Sequence, residues 1–328
     1  MIQATGLTKR YGPTTAVDDI SFTVAPGKVT GFLGPNGAGK STTMRMIVGL
    51  DRPSRGSVTV NGRAYRDHDA PLAQVGTLLD AKAVHTGRSA AHHLHAMAAT
   101  HGISAARVHE VIEMTGLQGV AHRRVGGFSL GMGQRLGIAA ALLGDPQTLI
   151  LDEPVNGLDP EGVLWVRTLV RHLAAEGRTV FLSSHLMSEM ALTADHIIVI
   201  GRGRILADAP VQEIVARAAS TTVQVRTPHG DALEALLRRR GATVVAGEDG
   251  LLEVHGSSAP AIGDAAAAAG IPLHELVPMH GSLEDAYMQL TADEVEYHSA
   301  PVDAVPAALG HLPTQTDATA AMTEGALQ

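Results

Sequence analysis

Apolar residues in the first part of the chain alternate between the spacing of strands and the spacing of helices. Residues 28–33 form a short apolar run that ends at Gly34, and we predict a strand there. Residues 41–49 carry apolar side chains at helical spacing and end in a glycine, which predicts a helix. Short apolar runs at 148–151 and 179–182, with a helix-like stretch between them, predict the β-α-β alternation of a parallel sheet.

Two further regions have patterns of their own. Residues 86–143 carry apolar side chains three and four positions apart, which predicts a helical subdomain within a first domain at 1–219. Residues 220–290 show the β-α-β-β-α-β order of a ferredoxin-like α+β domain. Residues 291–328 contain acidic residues, Pro, Thr and Ala but no Lys or Arg, which predicts a disordered tail. The overall prediction is an α/β protein followed by a small accessory domain.

Composition and charge exclude several classes of function. The chain of 328 residues has no Cys, so it has no disulfides, thiolate metal sites, iron–sulfur clusters or cysteine nucleophile. Its formal net charge of -8 disfavours binding to nucleic acid, and no nucleic-acid partner is expected. The sequence has neither an uninterrupted apolar run long enough to cross a bilayer nor a secretory signal. The expectation is residence in the cytosol.

A glycine-rich segment separates the predicted strand at 28–33 from the predicted helix at 41–49. It fits the pattern G-x-x-x-x-G-K-[ST] and reads Gly34, Pro35, Asn36, Gly37, Ala38, Gly39, Lys40, Ser41, Thr42. Glycines let successive backbone N–H groups converge on phosphate oxygens, and the helix start adds partial positive charge. In such a loop Lys40 reaches the β- and γ-phosphates, and the Ser41 hydroxyl ligates Mg²⁺. The alternative is a glycine-rich turn with an unrelated lysine.

The apolar run at 148–151 ends in two adjacent carboxylates, Asp152 and Glu153. Such a pair is costly at the end of a buried strand unless a cation or water meets it at the sheet edge. We therefore predict that Asp152 holds Mg²⁺ through its outer coordination shell and that Glu153 is the base that orients and activates water. Taken alone, the pair could also be an acidic helix start beside Pro154.

A third motif, at residues 128–132, lies between the two motifs described above. Phe128-Ser129-Leu130-Gly131-Met132 is similar to the signature Leu-Ser-Gly-Gly-Gln of ABC transporter ATPases and keeps Ser129 and Gly131. With the two motifs above, residues 2–217 resemble the nucleotide-binding subunit of an ABC transporter. The resemblance implies a P-loop NTPase core that hydrolyses ATP with Mg²⁺. It also implies that Ser129 and Gly131 donate to the γ-phosphate across a dimer interface.

Three more residues match positions in this family. Asp159, in Gly157-Leu158-Asp159, resembles the D-loop residue. His185 resembles the switch histidine, which contacts the γ-phosphate and the attacking water. Tyr11 resembles the aromatic residue that stacks on adenine, and a flat π-face suits a purine ring.

One position departs from the family's pattern. At the joint with the helical insertion the family usually has Gln, whereas this chain has Asp80. A Gln side chain presents an uncharged amide oxygen to Mg²⁺ or water, while Asp is shorter and anionic. We expect Asp80 to be a metal-site residue together with Ser41 and Asp152.

The resemblance implies an ATP-binding and hydrolysing subunit that forms a homodimer around two ATP molecules. It would lie at the cytoplasmic face of the membrane and act with separate integral membrane permease subunits. The accessory domain and the sequence near Asp80 are similar to those of bacterial multidrug and antibiotic exporters, which implies export of a small molecule that this subunit does not bind directly. The alternatives are a soluble ABC-type ATPase switch acting on ribosomes or DNA, and a non-catalytic binding module.

Overall fold

The computed structural model describes residues 1–81, 83–218, 222–247, 250–279 and 282–291. The predicted tail lies outside the described residues except for Thr291. Strands are numbered in chain order: β1 Ile2–Tyr11, β2 Thr14–Val24, β3 Val29–Leu33, β4 Arg55–Val60, β5 Val75–Leu78, β6 Thr148–Leu151, β7 Thr179–Ser183, β8 His196–Gly201, β9 Arg204–Pro210, β10 Thr222–Arg226, β11 Thr243–Ala246, β12 Leu251–His255 and β13 Glu275–Met279.

Helices are numbered in the same way. They are α1 Lys40–Ile47, α2 Pro71–Gln74, α3 Ala90–Thr100, α4 Ala105–Met114, α5 Leu130–Leu142, α6 Pro160–Ala175, α7 Met187–Thr193, α8 Val211–Ala218, α9 Gly230–Arg239, α10 Ala259–Ala268 and α11 Leu283–Thr291. Within the described residues, no helix combines the length and the apolar character needed to span a membrane.

A six-stranded sheet forms the centre of the first domain, in the order β5-β6-β7-β3-β8-β9. Neighbours from β5 to β8 are parallel, and only the β8–β9 pair is antiparallel. Every residue of β3, β6 and β7 is buried. A strand covered on both faces reads as a continuous apolar run, which is why the sequence identifies these three strands.

A second sheet, β2-β1-β4, is antiparallel and packs its apolar face against the central sheet. Phe22 of β2, Phe32 of β3 and Phe181 of β7 meet in this layer, with ring centroids 5.2 to 6.0 Å apart. Aromatic rings at these separations add to the apolar area that they bury. The three rings therefore help to hold β3, which leads into the glycine-rich loop.

Helices α3, α4 and α5 pack on one another within the predicted helical region. Each begins after a serine whose Oγ accepts a backbone N–H: Ser89 from His92, Ser104 from Arg107 and Ser129 from Met132. Serine is favoured at this position because it satisfies an N–H group that has no partner inside the helix. The boundaries of these helices are thus determined locally.

Residues 222–279 form the β-α-β-β-α-β order of elements that the sequence predicts. The four strands are antiparallel, in the order β11-β12-β10-β13, and α9 and α10 share an apolar cluster with them. Alternating burial along β10 and β12 shows that one face of this sheet is covered and the other is partly open.

The structure differs from the predicted division of the chain at the end of this region. The sequence assigns residues 220–290 to the accessory domain, but α11 contacts α7, α8 and β9 of the first domain. Leu283 and Ala286 of α11 are buried in the apolar cluster of the first domain. The partners of α11 lie far away along the chain, so the pattern of residues 220–290 did not indicate these contacts.

Candidate active site

The central sheet brings four strand ends to one edge. Leu78, Leu151 and Leu182 pair across β5, β6 and β7, and Phe32 pairs with Ser183. Because these strands are parallel, the residues after them leave on the same side of the sheet. There they line an open cavity of about 550 Å³, and the lining residues include Asn36 to Thr42, Asp80, Asp152 and Glu153.

The glycine-rich loop and the start of α1 form one wall of this cavity. Gly39 precedes α1 with a φ of +106°, and a Cβ there would lie 2.5 Å from the carbonyl oxygen of Ala16. No side chain caps α1, and its first turn contains no acidic residue. The first N–H groups of the helix therefore remain available to an anion, where the helix dipole favours negative charge.

Lys40 is buried beneath the glycine-rich loop, where its Nζ donates to the carbonyl oxygens of Gly34 at 2.6 Å and Pro35 at 3.2 Å. Burial lowers the pKa of Lys40, and the nearby carboxylates Glu153 and Asp152 oppose this shift. A buried ammonium group has lost its hydration, so an anionic partner stabilises its charged form more than it would stabilise an exposed ammonium. This position suits a lysine that meets the phosphates of a nucleotide.

Glu153 is held in a sparsely populated backbone conformation, with a φ of +49°. Its N–H donates to Ser183 Oγ at 2.9 Å, and its carbonyl oxygen accepts from Gln134 Nε2 at 2.5 Å. Such strain costs about 1–3 kcal/mol and persists only where surrounding contacts enforce it. Its carboxylate reaches His185, whose Nδ1 lies 2.7 Å from Oε2. The structure thus brings together the two residues predicted to be catalytic.

The residues predicted to form the metal site share the cavity. Ser41, Asp80 and Asp152 all line it, and Asp152 accepts a hydrogen bond from Ser183 Oγ at 2.5 Å. In the described part of the chain, no group of three or more His, Asp or Glu side chains could hold a metal by itself. Mg²⁺ typically binds through one or two carboxylates together with substrate phosphates. These oxygen donors fit a metal that arrives with a nucleotide.

The other predicted site residues lie outside the lining of this cavity. Ser129 and Asp159 are the N-caps of α5 and α6, with Asp159 Oδ1 accepting from Gly162 N at 2.9 Å. Gly131 packs closely against Gly157, whose carbonyl oxygen would lie 2.9 Å from an added Cβ. Tyr11 is 46% exposed, and its hydroxyl donates to Asp51 at 2.9 Å. These four residues are thus not on the lining of the cavity, although Leu130, between Ser129 and Gly131, is.

Sequence reasoning gave no role to three residues that the structure brings to the site. Ser183 bonds to both Asp152 and Glu153, Gln134 bonds to the backbone of Glu153, and Asn156 lines the cavity. Gln134 follows the signature-like segment, and Ser183 ends a buried strand. A buried polar side chain needs a hydrogen-bond partner, and this was the only signal in the sequence that these two residues contact the site. The pairing itself depends on contacts between residues 19 to 31 positions apart.

The fold and the site define a P-loop nucleoside triphosphatase. Comparison with known proteins gives the family: the model described as ABC transporter matches residues 17–156, and a model for a domain of unknown function matches residues 221–284. An uncharacterized ABC transporter ATP-binding protein of Bacillus subtilis (strain 168), YhcH, is 34% identical over 90% of this chain and 97% of its own length. The chain belongs to the ABC transporter ATP-binding proteins.

Two further similarities each cover about two thirds of the chain. The bacitracin transport ATP-binding protein BcrA of Bacillus licheniformis is 41% identical over 66% of this chain and 72% of that protein. A solved structure of the ATP-binding subunit of an ABC transporter has a TM-score of 0.61 at 27% identity, over 66% of this chain and 92% of that one. The α/β P-loop fold, ATP binding and ATP hydrolysis coupled to transport follow from this family membership.

We predict that Ser183→Ala lowers ATP turnover about tenfold while nucleotide still binds. The alanine leaves the N–H of Glu153 without its partner and frees the Asp152 carboxylate, at a cost of about 1–3 kcal/mol for a buried group left unsatisfied. Steady-state ATPase assays and the ATP-induced rise in melting temperature would measure the two effects. Thr115→Val is the matched control, because it removes a buried hydroxyl that bonds only within α4. Equal turnover in both variants would contradict the role of Ser183.

Proposed function

We propose that this chain is the ATPase subunit of an exporter of small molecules of the drug or antibiotic type. It acts at the cytoplasmic face of the membrane with separate integral membrane permease subunits, and the transported molecule contacts those subunits only. The ATPase part of the proposal rests on one observation: His185 contacts Glu153, and Glu153 lines the same cavity as the phosphate loop. The similarity to the bacitracin transport protein BcrA supports a role in the transport of a molecule of the antibiotic type.

The residues of the cavity have separate tasks in hydrolysis. The N–H groups at the start of α1 and the Lys40 ammonium hold the β- and γ-phosphates. Glu153 accepts the proton of the attacking water, and His185, hydrogen-bonded to it, keeps that carboxylate in place. Ser41, Asp80 and Asp152 would hold Mg²⁺, which offsets the charge that develops on the phosphate oxygens. Catalysis therefore depends on position and charge.

A second copy of the chain completes the site. Ser129 and Gly131, at the start of α5, and Asp159, at the start of α6, do not line the cavity of their own chain. A helix start presents N–H groups that suit an anion. In a homodimer with head-to-tail symmetry, these residues would face the γ-phosphate held by the partner, and Tyr11 would stack on adenine. Two ATP molecules would then be buried between the chains.

Replacing Glu153 with Gln tests the catalytic assignment. The amide preserves the shape of the side chain but cannot accept the proton, so turnover should fall by at least about 10²-fold while ATP binding persists. An ATP-bound dimer should then accumulate and elute earlier in size-exclusion chromatography with Mg-ATP. Glu113→Gln removes an exposed carboxylate of α4 and should behave as the wild type. Wild-type turnover in Glu153→Gln would remove this residue from the mechanism.

Asp80 should make turnover unusually sensitive to Mg²⁺. Because this carboxylate lines the cavity with Asp152 and Glu153, Asp80→Gln reduces the negative charge that a cation offsets. We expect ATP affinity to change only a few-fold, and the Mg²⁺ concentration for half-maximal ATPase activity to shift. Asp80→Ala should uncouple hydrolysis from the membrane partner. Identical Mg²⁺ curves for the wild type and both variants would mean that Asp80 does not serve the metal.

The transport assignment is tested by what binds the full chain in cells. Purification from solubilised membranes with Mg-ATP should recover a polytopic membrane protein in a fixed ratio to the chain. The Glu153→Gln variant should retain it, because that variant keeps the ATP-bound form. Recovery of ribosomes or DNA in its place would contradict the exporter and favour a soluble switch.

A further inference from the structure

Helix α7 follows His185 directly and determines where that histidine lies. Leu186 is the N-cap of α7, and its N–H donates to Ser184 Oγ at 3.0 Å. His185 is about half exposed and sits between β7 and this helix. A displacement of α7 would therefore move the imidazole relative to Glu153, which is fixed through Ser183 and Gln134.

Two contacts hold α7 from within the first domain. Arg167 of α6 pairs with Glu189 of α7 at 2.6 Å, and both side chains are largely buried. Met190 of α7 occupies the space beside Gly31 of β3, where an added Cβ would come within 2.4 Å of its Sδ. The helix is thus fitted to the strand that leads into the phosphate loop.

Helix α11 supplies a third contact, from the far end of the described chain. Leu283 and Ala286 of α11 are buried in the same apolar cluster as Met187 and Met190 of α7, and Tyr287 and Leu290 pack against that cluster. Burial also raises the pKa of Tyr287. Apolar surface removed from water in this way stabilises the contact between the helices.

The start of α11 is defined by its own side chains. The N–H of Asp285 donates to Ser282 Oγ at 3.0 Å, and Asp285 Oδ2 accepts from the N–H of Ser282 at 2.9 Å. This reciprocal pair is a capping box with Asp in the third position. The hydrogen bonds from Ser282 lower the pKa of Asp285. The end of α11 nearest the accessory domain is therefore held in a defined conformation.

The accessory domain lies in sequence between two helices that pack on each other. Helix α8, at the end of the first domain, precedes its first strand and α11 follows its last strand, and both helices contact β9. Val211 and Ile214 of α8 belong to the same apolar cluster as Leu283 and Ala286. Helix α8 therefore packs on α11, and α11 in turn packs on α7.

We propose that α11 is a positioning element for hydrolysis: by packing on α7 it keeps His185 on Glu153. The proposal rests on the roles proposed above for Glu153 and His185. Tyr287 and Leu290 are positioning residues in this scheme, since they touch neither nucleotide nor the reacting water. Loss of their contact should affect turnover more than nucleotide binding.

The test compares Tyr287→Ala with Tyr287→Phe in the full chain. Tyr287→Ala should lower kcat at least about tenfold, because a small displacement of a positioned group is costly, while KM for ATP stays within about twofold. Tyr287→Phe keeps the ring and should restore kcat. Met288→Ala alters a side chain of the same helix that is 62% exposed and should behave as the wild type. Turnover is normalised to bound nucleotide, so that loss of folded protein does not lower it.

A double-mutant cycle with His185→Ala separates this proposal from the proposed function. If α11 acts through His185, Tyr287→Ala should add almost nothing to the loss caused by His185→Ala. Full turnover of Tyr287→Ala beside impaired His185→Ala would overturn the positioning role and leave the proposed function intact. Full turnover of His185→Ala would overturn the proposed function itself. If Tyr287→Ala does not fold, the smaller truncation Leu290→Ala enters the same cycle with the same expected result.

Discussion

The hydrogen-bonded alignment of β6, β7 and β3 is the constraint on which the site depends. These strands are parallel and buried, so their carboxyl ends lie at one edge, and the loops after them leave in the same direction. That alignment places the phosphate loop and the Asp152–Glu153 pair around one cavity, with His185 in contact with Glu153. A shift in register would separate these groups even if every local element formed correctly, because each strand carries only one part of the site.

The site uses fixed polar contacts to hold groups that would otherwise be unstable. Glu153 has a positive φ, Lys40 is buried with its charge, and Asp152 follows a strand that is buried throughout. Ser183 and Gln134 satisfy the backbone of Glu153 from two directions. Such preorganisation means that little rearrangement is needed when charge develops on the phosphate oxygens. These strained and buried groups lower the local stability, but they are already in position to bind a highly charged substrate.

The arrangement of α7, α8 and α11 connects the helices on both sides of the accessory domain to the neighbourhood of His185. Here the helices on both sides of the domain pack on the core and on each other, beside the helix that follows His185. Interfaces between packed helices shift between discrete arrangements, so small changes at one end can be transmitted.

The sequence by itself determined what depends on local spacing. The glycine-rich motif, the buried strands and the β-α-β-β-α-β order all follow from patterns within a few residues, since backbone sterics and helix or strand periods act at that range. Only the tertiary structure decided that Gln134 and Ser183 hold Glu153, and that α11 packs on α7 and α8. These outcomes depend on apolar contacts and hydrogen bonds between residues that lie far apart along the chain. Such long-range contacts leave no periodic pattern in the sequence.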